Sequence, residues 1–70
     1  MKKKIKIKIN GKLNIIDART KLSVFLRYLK VPIRKVAIEL NREVVPKSKY
    51  KTKRINQNDR IEILELIGGG

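Results

Sequence analysis

The chain begins with a strict alternation of lysine and isoleucine. Between Lys4 and Ile9 every second residue is isoleucine. A period of two in β-branched residues predicts a strand with Ile5, Ile7 and Ile9 on the core face and the lysines in water. The next two residues, Asn10-Gly11, tolerate the positive φ of a type I′ turn, and residues 12–16 are expected to return as the second strand of a hairpin.

The spacing of apolar residues then changes to that of a helix. Thr20 is predicted to be the helix N-cap, because its hydroxyl can accept a hydrogen bond from an otherwise unpaired backbone N–H. Pro32 is expected to end the helix after about three turns, since proline cannot donate and disfavours the helical region for the residue before it. The residues of the i, i+3, i+4, i+7 apolar stripe are Leu22, Phe25, Leu26 and Leu29.

Further strands are predicted after the helix, at residues 36–40, 43–45 and 60–67. Asn41-Arg42 and residues 56–59 are turn-like, and residues 47–53 are polar and irregular around Tyr50, which we interpret as a packing residue. The order ββαβ(β)β predicts an α+β domain, with one main helix packed on one face of a mixed sheet. The ubiquitin-like β-grasp is the compact arrangement of this order, with the final strand paired to the first.

Seventy residues form one domain, which we expect at residues 1–67, followed by a flexible glycine tail at 68–70. The sequence contains no cysteine and no histidine, which argues against thiol nucleophiles, disulfides and the commonest general base. The six carboxylates form no recognised acid/base or metal motif. We therefore expect neither catalysis in a pocket nor a bound cofactor or metal.

The net charge of +13 admits several interpretations. Nucleic acid, an anionic membrane surface and an acidic partner would each attract such a chain, and a lysine-rich genome or heat adaptation would also produce it. The lysines at positions 2, 4, 6 and 8 form a solvent face that deters aggregation at the sheet edge. A small basic nucleic-acid-binding module is the alternative from a different class, although Phe25, Tyr28 and Tyr50 are the only aromatic residues for stacking.

Neither a membrane span nor a signal peptide is expected, because the first isoleucines alternate with lysines and no apolar run approaches about 20 residues. The pattern favours a soluble, cytoplasmic protein.

The glycine tail suggests chemistry at the chain's own terminus. Glycine has no Cβ, so Gly68, Gly69 and Gly70 could thread a narrow channel and present an unhindered carboxylate. That carboxylate is a poor electrophile until it is adenylated, after which a persulfide or thiolate can attack it. A frayed end is the alternative interpretation. On the strand before the tail, Leu64 and Leu66 should face away from the core and, with Gly68, offer a docking patch to an activating enzyme.

The sequence resembles the sulfur carriers of thiazole biosynthesis, the ThiS family. The resemblance rests on the hairpin with Asn10-Gly11, the Glu-Leu-Asn-Arg-Glu-Val-Val-Pro stretch at residues 39–46, and the Ile-Glu-Ile to Gly-Gly-Gly ending. It implies a β-grasp fold and a non-enzymatic carrier, with Gly70 as the reactive residue and Gly69 as its necessary neighbour.

The resemblance also implies the partners. A ThiF-like, E1-like adenylyltransferase would use ATP and Mg²⁺ to activate Gly70, and a cysteine desulfurase or another persulfide source would supply sulfur. The resulting thiocarboxylate would donate sulfur to a ThiG-like thiazole synthase in thiamine synthesis. Carriers for molybdopterin or tRNA thiolation, and ubiquitin-like modifiers, remain alternatives. The free protein is expected to be a monomer that binds neither membrane nor nucleic acid.

Overall fold

The computed structural model describes residues 3–67. Its regular elements are five strands and one α-helix, joined by turns and two short 3₁₀ turns. In chain order they are β1 (Lys4–Ile9), β2 (Lys12–Asp17), α1 (Leu22–Tyr28), a 3₁₀ turn (Ile33–Lys35), β3 (Val36–Leu40), β4 (Glu43–Val44), a second 3₁₀ turn (Lys47–Lys49) and β5 (Arg60–Glu65).

The five strands form one mixed sheet in the order β2-β1-β5-β3-β4. Strand β5 is central and runs parallel to β1, whereas the other neighbouring strands are antiparallel. Helix α1 packs on one face of this sheet and leaves the other face open. The predicted α+β, β-grasp architecture is therefore confirmed, including the pairing of the last strand with the first.

The opening hairpin forms because its pattern separates apolar from charged side chains. Ile5, Ile7 and Ile9 face the helix, with Ile7 buried, while the lysines of β1 are exposed. Asn10 and Gly11 take φ values of 48° and 84°, as a type I′ turn requires of both central residues. The turn residues and the strand pattern thus specify the same register.

The core lies between α1 and the sheet. Complete burial of one large aliphatic side chain contributes about 1.5–3 kcal/mol, so a few such residues dominate the stability of a small domain. Phe25 and Tyr50 are also buried, which confirms that both are packing residues. The fully buried aliphatic side chains are Ile7, Leu22, Leu26, Ile38, Ile55 and Ile61.

The prediction for the start of the helix was wrong. Lys21, not Thr20, occupies the N-cap position, and it makes no side-chain cap. The Thr20 hydroxyl instead donates to the carbonyl of Asp17 at 2.6 Å. The first helical N–H groups, of Leu22 and Ser23, donate to the carbonyls of Lys53 and Tyr50 at 2.8 and 2.9 Å. Backbone from the 47–54 segment thus replaces the predicted cap.

The predicted end of the helix was also wrong. The helix ends at Tyr28, about one turn earlier than expected, and Pro32 follows the helix without terminating it. Lys30 adopts φ 59°, the N–H of Lys30 bonds to the Arg27 carbonyl at 3.0 Å, and the N–H of Val31 bonds to the Leu26 carbonyl at 3.1 Å. This pair of bonds is a Schellman motif with lysine at the position that glycine usually occupies.

The remaining boundaries differ by a few residues. Strand β4 stops at Val44, and the next residue, Val45, is buried. The 47–53 segment contains a 3₁₀ turn and is not wholly irregular. Strand β5 ends at Glu65, two residues before the predicted end.

Candidate functional site

Strand β5 leads toward the glycine tail from the most protected position in the sheet. It is hydrogen-bonded to β1 on one side and to β3 on the other. In this central position Ile61 is fully buried, and it is level with Ile9 of β1 and Leu40 of β3. Ile61 is therefore paired on both sides, whereas residues 62–65, which precede the tail, are paired with β3.

The second half of β5 extends past the turn of the first hairpin. There the side chain of Asn10 continues the ladder, because its Oδ1 accepts the N–H of Ile63 at 2.8 Å. Beyond β5, the N–H of Leu66 donates to the carbonyl of Lys35 at 2.9 Å. The Asn-Gly signal predicts only the turn, because it carries no information about a contact more than 50 residues away.

The open face of the sheet carries the predicted apolar pair. Leu64 is 41% exposed and Leu66 is 39% exposed, which confirms that both face away from the core. Leu64 lies directly opposite Ala37 of β3, and Ile67 is fully exposed. Ala37 extends the apolar surface beside Leu64, and the strand register was needed to find it. The use of this surface for docking stays a prediction.

The reactive residues predicted from the sequence, Gly69 and Gly70, and the docking residue Gly68, lie outside the described residues. The structure therefore describes the strand that precedes them and the surface beside that strand. Their chemistry, and the division into a domain and a flexible tail, stay predictions.

The carboxylates of the described residues have structural surroundings. Asp59 is buried, accepts from the Asn41 side chain at 3.0 Å, and accepts from the backbone N–H of Asn56 at 2.7 Å. Glu39 and Glu62 are cross-strand partners on the open face. Within residues 3–67 no three Asp, Glu, His or Cys side chains are grouped so that they could hold a metal ion.

The basic side chains of β1 are in solvent, as predicted for Lys4, Lys6 and Lys8, and Lys4 pairs with Asp17 of the edge strand. The predicted solvent face also includes Lys2, which lies outside the described residues. On the other side of the domain, burial raises the pKa of the Tyr50 phenol above its ordinary value of 10.0. No helix among residues 3–67 is both long and apolar enough to span a bilayer.

A solved structure has the same arrangement. The crystal structure of the thiamine biosynthesis protein ThiS from Geobacter metallireducens superposes with a TM-score of 0.84, at 29% sequence identity. The match covers 94% of this chain and 100% of that chain.

Two sequence relatives extend the comparison. A thiazole synthase of Paramagnetospirillum magneticum is 42% identical over 66 residues, which are 94% of this chain. This chain spans about a fifth of that protein, since the match covers 20% of its length. An uncharacterized protein of Porphyra purpurea, ycf40, is 34% identical over 68 residues, and the match covers 97% of this chain and 96% of that protein.

The family model agrees with the fold and with these relatives. The ThiS family model matches residues 7–70, from the middle of β1 through the three terminal glycines of the sequence. By this match, this chain belongs to the ThiS family.

Proposed function

We propose that this chain is a protein sulfur carrier for thiamine biosynthesis, and that Gly70 carries its reactive carboxylate. The observation that supports this most strongly is the ThiS family match, which extends through residue 70. The central position of β5 supports it as well, because the strand holds the segment before the glycines at a fixed place on the domain.

The first chemical step activates the carboxylate. At neutral pH a terminal carboxylate is ionised and resists attack by a nucleophile. One of its oxygens attacks the α-phosphorus of ATP on a ThiF-like, E1-like adenylyltransferase, and pyrophosphate leaves with the electron pair of the broken P–O bond. Mg²⁺ on that enzyme offsets the phosphate charge. The product is an acyl-adenylate at Gly70.

The second step introduces sulfur. A persulfide sulfur supplied through a cysteine desulfurase attacks the carbonyl carbon, AMP leaves, and an acyl disulfide forms. A thiol then loses its proton to solvent and attacks the sulfur that is not bonded to the acyl group. A new disulfide forms, and the thiocarboxylate leaves with the electron pair of the broken S–S bond. The carrier delivers this sulfur to a ThiG-like thiazole synthase. The similarity to part of a thiazole synthase supports this choice of acceptor.

The chain's own residues bind and position, and the partner enzymes catalyse. Leu64 and Leu66 offer an apolar surface beside the exit of β5, where an activating enzyme can bind the carrier and receive the tail. Gly68 and Gly69 have no Cβ, so a narrow channel can close around them. The reaction needs ATP and a reduced thiol, and on that ground we place it in the cytoplasm.

The test is intact-mass spectrometry of the carrier. It is incubated with ATP, Mg²⁺, a ThiF-like adenylyltransferase and a persulfide source, and the mass should rise by the difference between one sulfur and one oxygen. The variant without Gly70 should fold normally and keep its original mass. An unchanged mass of the intact carrier, alongside an enzyme that loads an established ThiS carrier, would refute the proposal.

A further inference from the structure

The charges of this chain are strongly segregated along the sequence. Residues 18–38 contain six lysines and arginines, residues 44–58 contain five, and neither segment contains an aspartate or glutamate. These eleven cations are more than half of the 19 in the chain. The six carboxylates lie at Asp17, Glu39, Glu43, Asp59, Glu62 and Glu65.

The fold joins the two basic segments. The backbone N–H groups of Leu22 and Ser23, at the start of α1, bond to carbonyls of the 47–54 segment. The N–H of Ile55 bonds back to the carbonyl of Thr20 at 3.0 Å, and Lys21 pairs with Arg54 in an isolated bridge. Two segments without negative charge are therefore held side by side on the helix face of the domain.

A cleft of about 440 Å³ lies between these segments. Arg27 and Lys30 line it from the end of the helix, and Lys47 and Lys51 line it from the opposite segment. Ser23, Tyr50, Val31 and Ile33 complete the lining, so the cleft has an apolar part and contains no carboxylate. We call this the basic cleft.

Ion pairing and the helix dipole together do not account for the basic cleft. The only ion pair found between described residues is Lys4–Asp17, on the hairpin, so none of the four cations of the cleft is neutralised by a described carboxylate. The negative end of the helix dipole favours Arg27 and Lys30. It does not explain Lys47 and Lys51, which come from another segment.

Lys30 links the basic cleft to the end of the helix. It takes a positive φ of 59° as the central residue of the Schellman motif, and it is one of the residues that line the basic cleft. The position that ends the helix therefore also supplies one of the four cations.

We propose that the basic cleft binds the diphosphate group of a small ligand. A diphosphate places several negative charges on adjacent phosphorus atoms, which matches a cleft lined by four cationic residues better than a single carboxylate does. The Arg27 guanidinium can bind a phosphate through two parallel N–H···O bonds, and lysine ammonium groups act as point charges. Val31 and Ile33 offer apolar surface to an organic group attached to the diphosphate.

The probes are ADP, inorganic pyrophosphate and adenosine, titrated into the full chain by calorimetry at about 150 mM salt, where the screening length is about 8 Å. ADP should bind, and adenosine should not. If pyrophosphate binds as tightly as ADP, the ligand of the basic cleft is inorganic diphosphate. If pyrophosphate binds more weakly than ADP, the ligand is an organic ester of diphosphate. Adenosine binding as tightly as ADP, or no binding of ADP, would overturn the proposal.

Two matched double variants distinguish binding of ADP in the basic cleft from nonspecific attraction of ADP to a chain of net charge +13. Replacing Lys47 and Lys51 by glutamine should weaken ADP binding about tenfold or more, because two charge-assisted contacts are lost. Replacing Lys6 and Lys8 by glutamine removes the same charge from the open face and should weaken it less than about twofold. Equal losses in the two variants would overturn the site.

If a variant proves unstable, amide chemical shifts of the unaltered chain test the proposal without any substitution. In the unaltered chain, ADP should shift the amide signals of Ser23, Arg27 and Lys51 and leave those of Lys6 and Lys8 unchanged. Shifts confined to β1 would contradict the proposal.

Discussion

Lys30 is the residue whose replacement by glycine should make this protein more stable. It occupies the position after the helix C-cap with φ 59°. Glycine, asparagine and aspartate adopt this left-handed conformation more readily than lysine does. An L-residue in the left-handed region is destabilised by about 1–2 kcal/mol, because its Cβ comes close to the following carbonyl oxygen. Lys30→Gly removes that cost.

The expected gain follows from two opposing effects. Glycine gives the unfolded chain more freedom, which costs about 0.5–1 kcal/mol in the free energy of unfolding. Subtracting this from the relieved strain leaves a net stabilisation of about 0–1.5 kcal/mol, with a central value of about 0.75 kcal/mol. The two Schellman bonds, Lys30 N–H to Arg27 and Val31 N–H to Leu26, use backbone atoms only and are retained. For a domain of 60–100 residues the central value corresponds to a rise in Tm of about 3–6 °C.

Urea denaturation followed by circular dichroism measures the change, with the midpoint compared at constant m value. Lys30→Ala is the matched control, because it removes the same charge but keeps a Cβ in the left-handed region. Its stability should stay within about 0.5 kcal/mol of the original. If Lys30→Gly proved no more stable than Lys30→Ala, the strain argument would be wrong, since charge removal alone would then explain any gain.

Three further predictions concern the core, the buried phenol and the open face. Ile61→Ala should lower the free energy of unfolding by about 2–5 kcal/mol, measured by urea denaturation, because the side chain is fully buried in the central strand. In a Tyr28→Phe background, ultraviolet titration should show Tyr50 ionising above its ordinary value of 10.0, because burial raises its pKa. The neutral phenol makes its full contribution to the free energy of unfolding below pH 10.0, the ordinary pKa. This contribution is lost as the pH rises through the pKa that Tyr50 has in the folded protein. The Leu64→Ser, Leu66→Ser double variant should fold but lose sulfur loading in the mass assay.

Each of these has its own control. Leu13 and Ile15 are exposed on the edge strand, so replacing both with serine should leave sulfur loading intact. Equal loss of loading in that variant would contradict docking at the β5 exit. Replacement of Ile67, which is fully exposed, by alanine should leave stability within about 0.5 kcal/mol of the original. In the tyrosine titration, ionisation at or below the ordinary value would contradict the burial argument.

Local pattern predicts much of this fold because many of its elements have unambiguous local signals. The alternating isoleucines fix the face of β1, and Asn10-Gly11 fixes the turn and hence the register of β2. Leu64 and Leu66 were placed on the open face by the same period of two. Where the pattern is strictly periodic, tertiary contacts and local preference agree.

Features that depend on distant contacts could not be predicted in this way. Thr20 satisfies the local rule for an N-cap, but carbonyls of Tyr50 and Lys53 bond to the helix N–H groups in its place. The helix ends at a Schellman motif whose central residue is Lys30, so the usual glycine signal is missing. The basic cleft brings together residues about 20 positions apart, and only the backbone bonds between the two segments reveal it.

In the proposed reaction Gly70 accepts sulfur as a thiocarboxylate. Its most direct test is the intact mass of the carrier after incubation with ATP, Mg²⁺, a ThiF-like adenylyltransferase and a persulfide source, followed by fragmentation to locate the change. One oxygen of Gly70 should be replaced by sulfur, and deletion of Gly70 should abolish the change. An unmodified mass with an active enzyme, or a modification on any other residue, would contradict it.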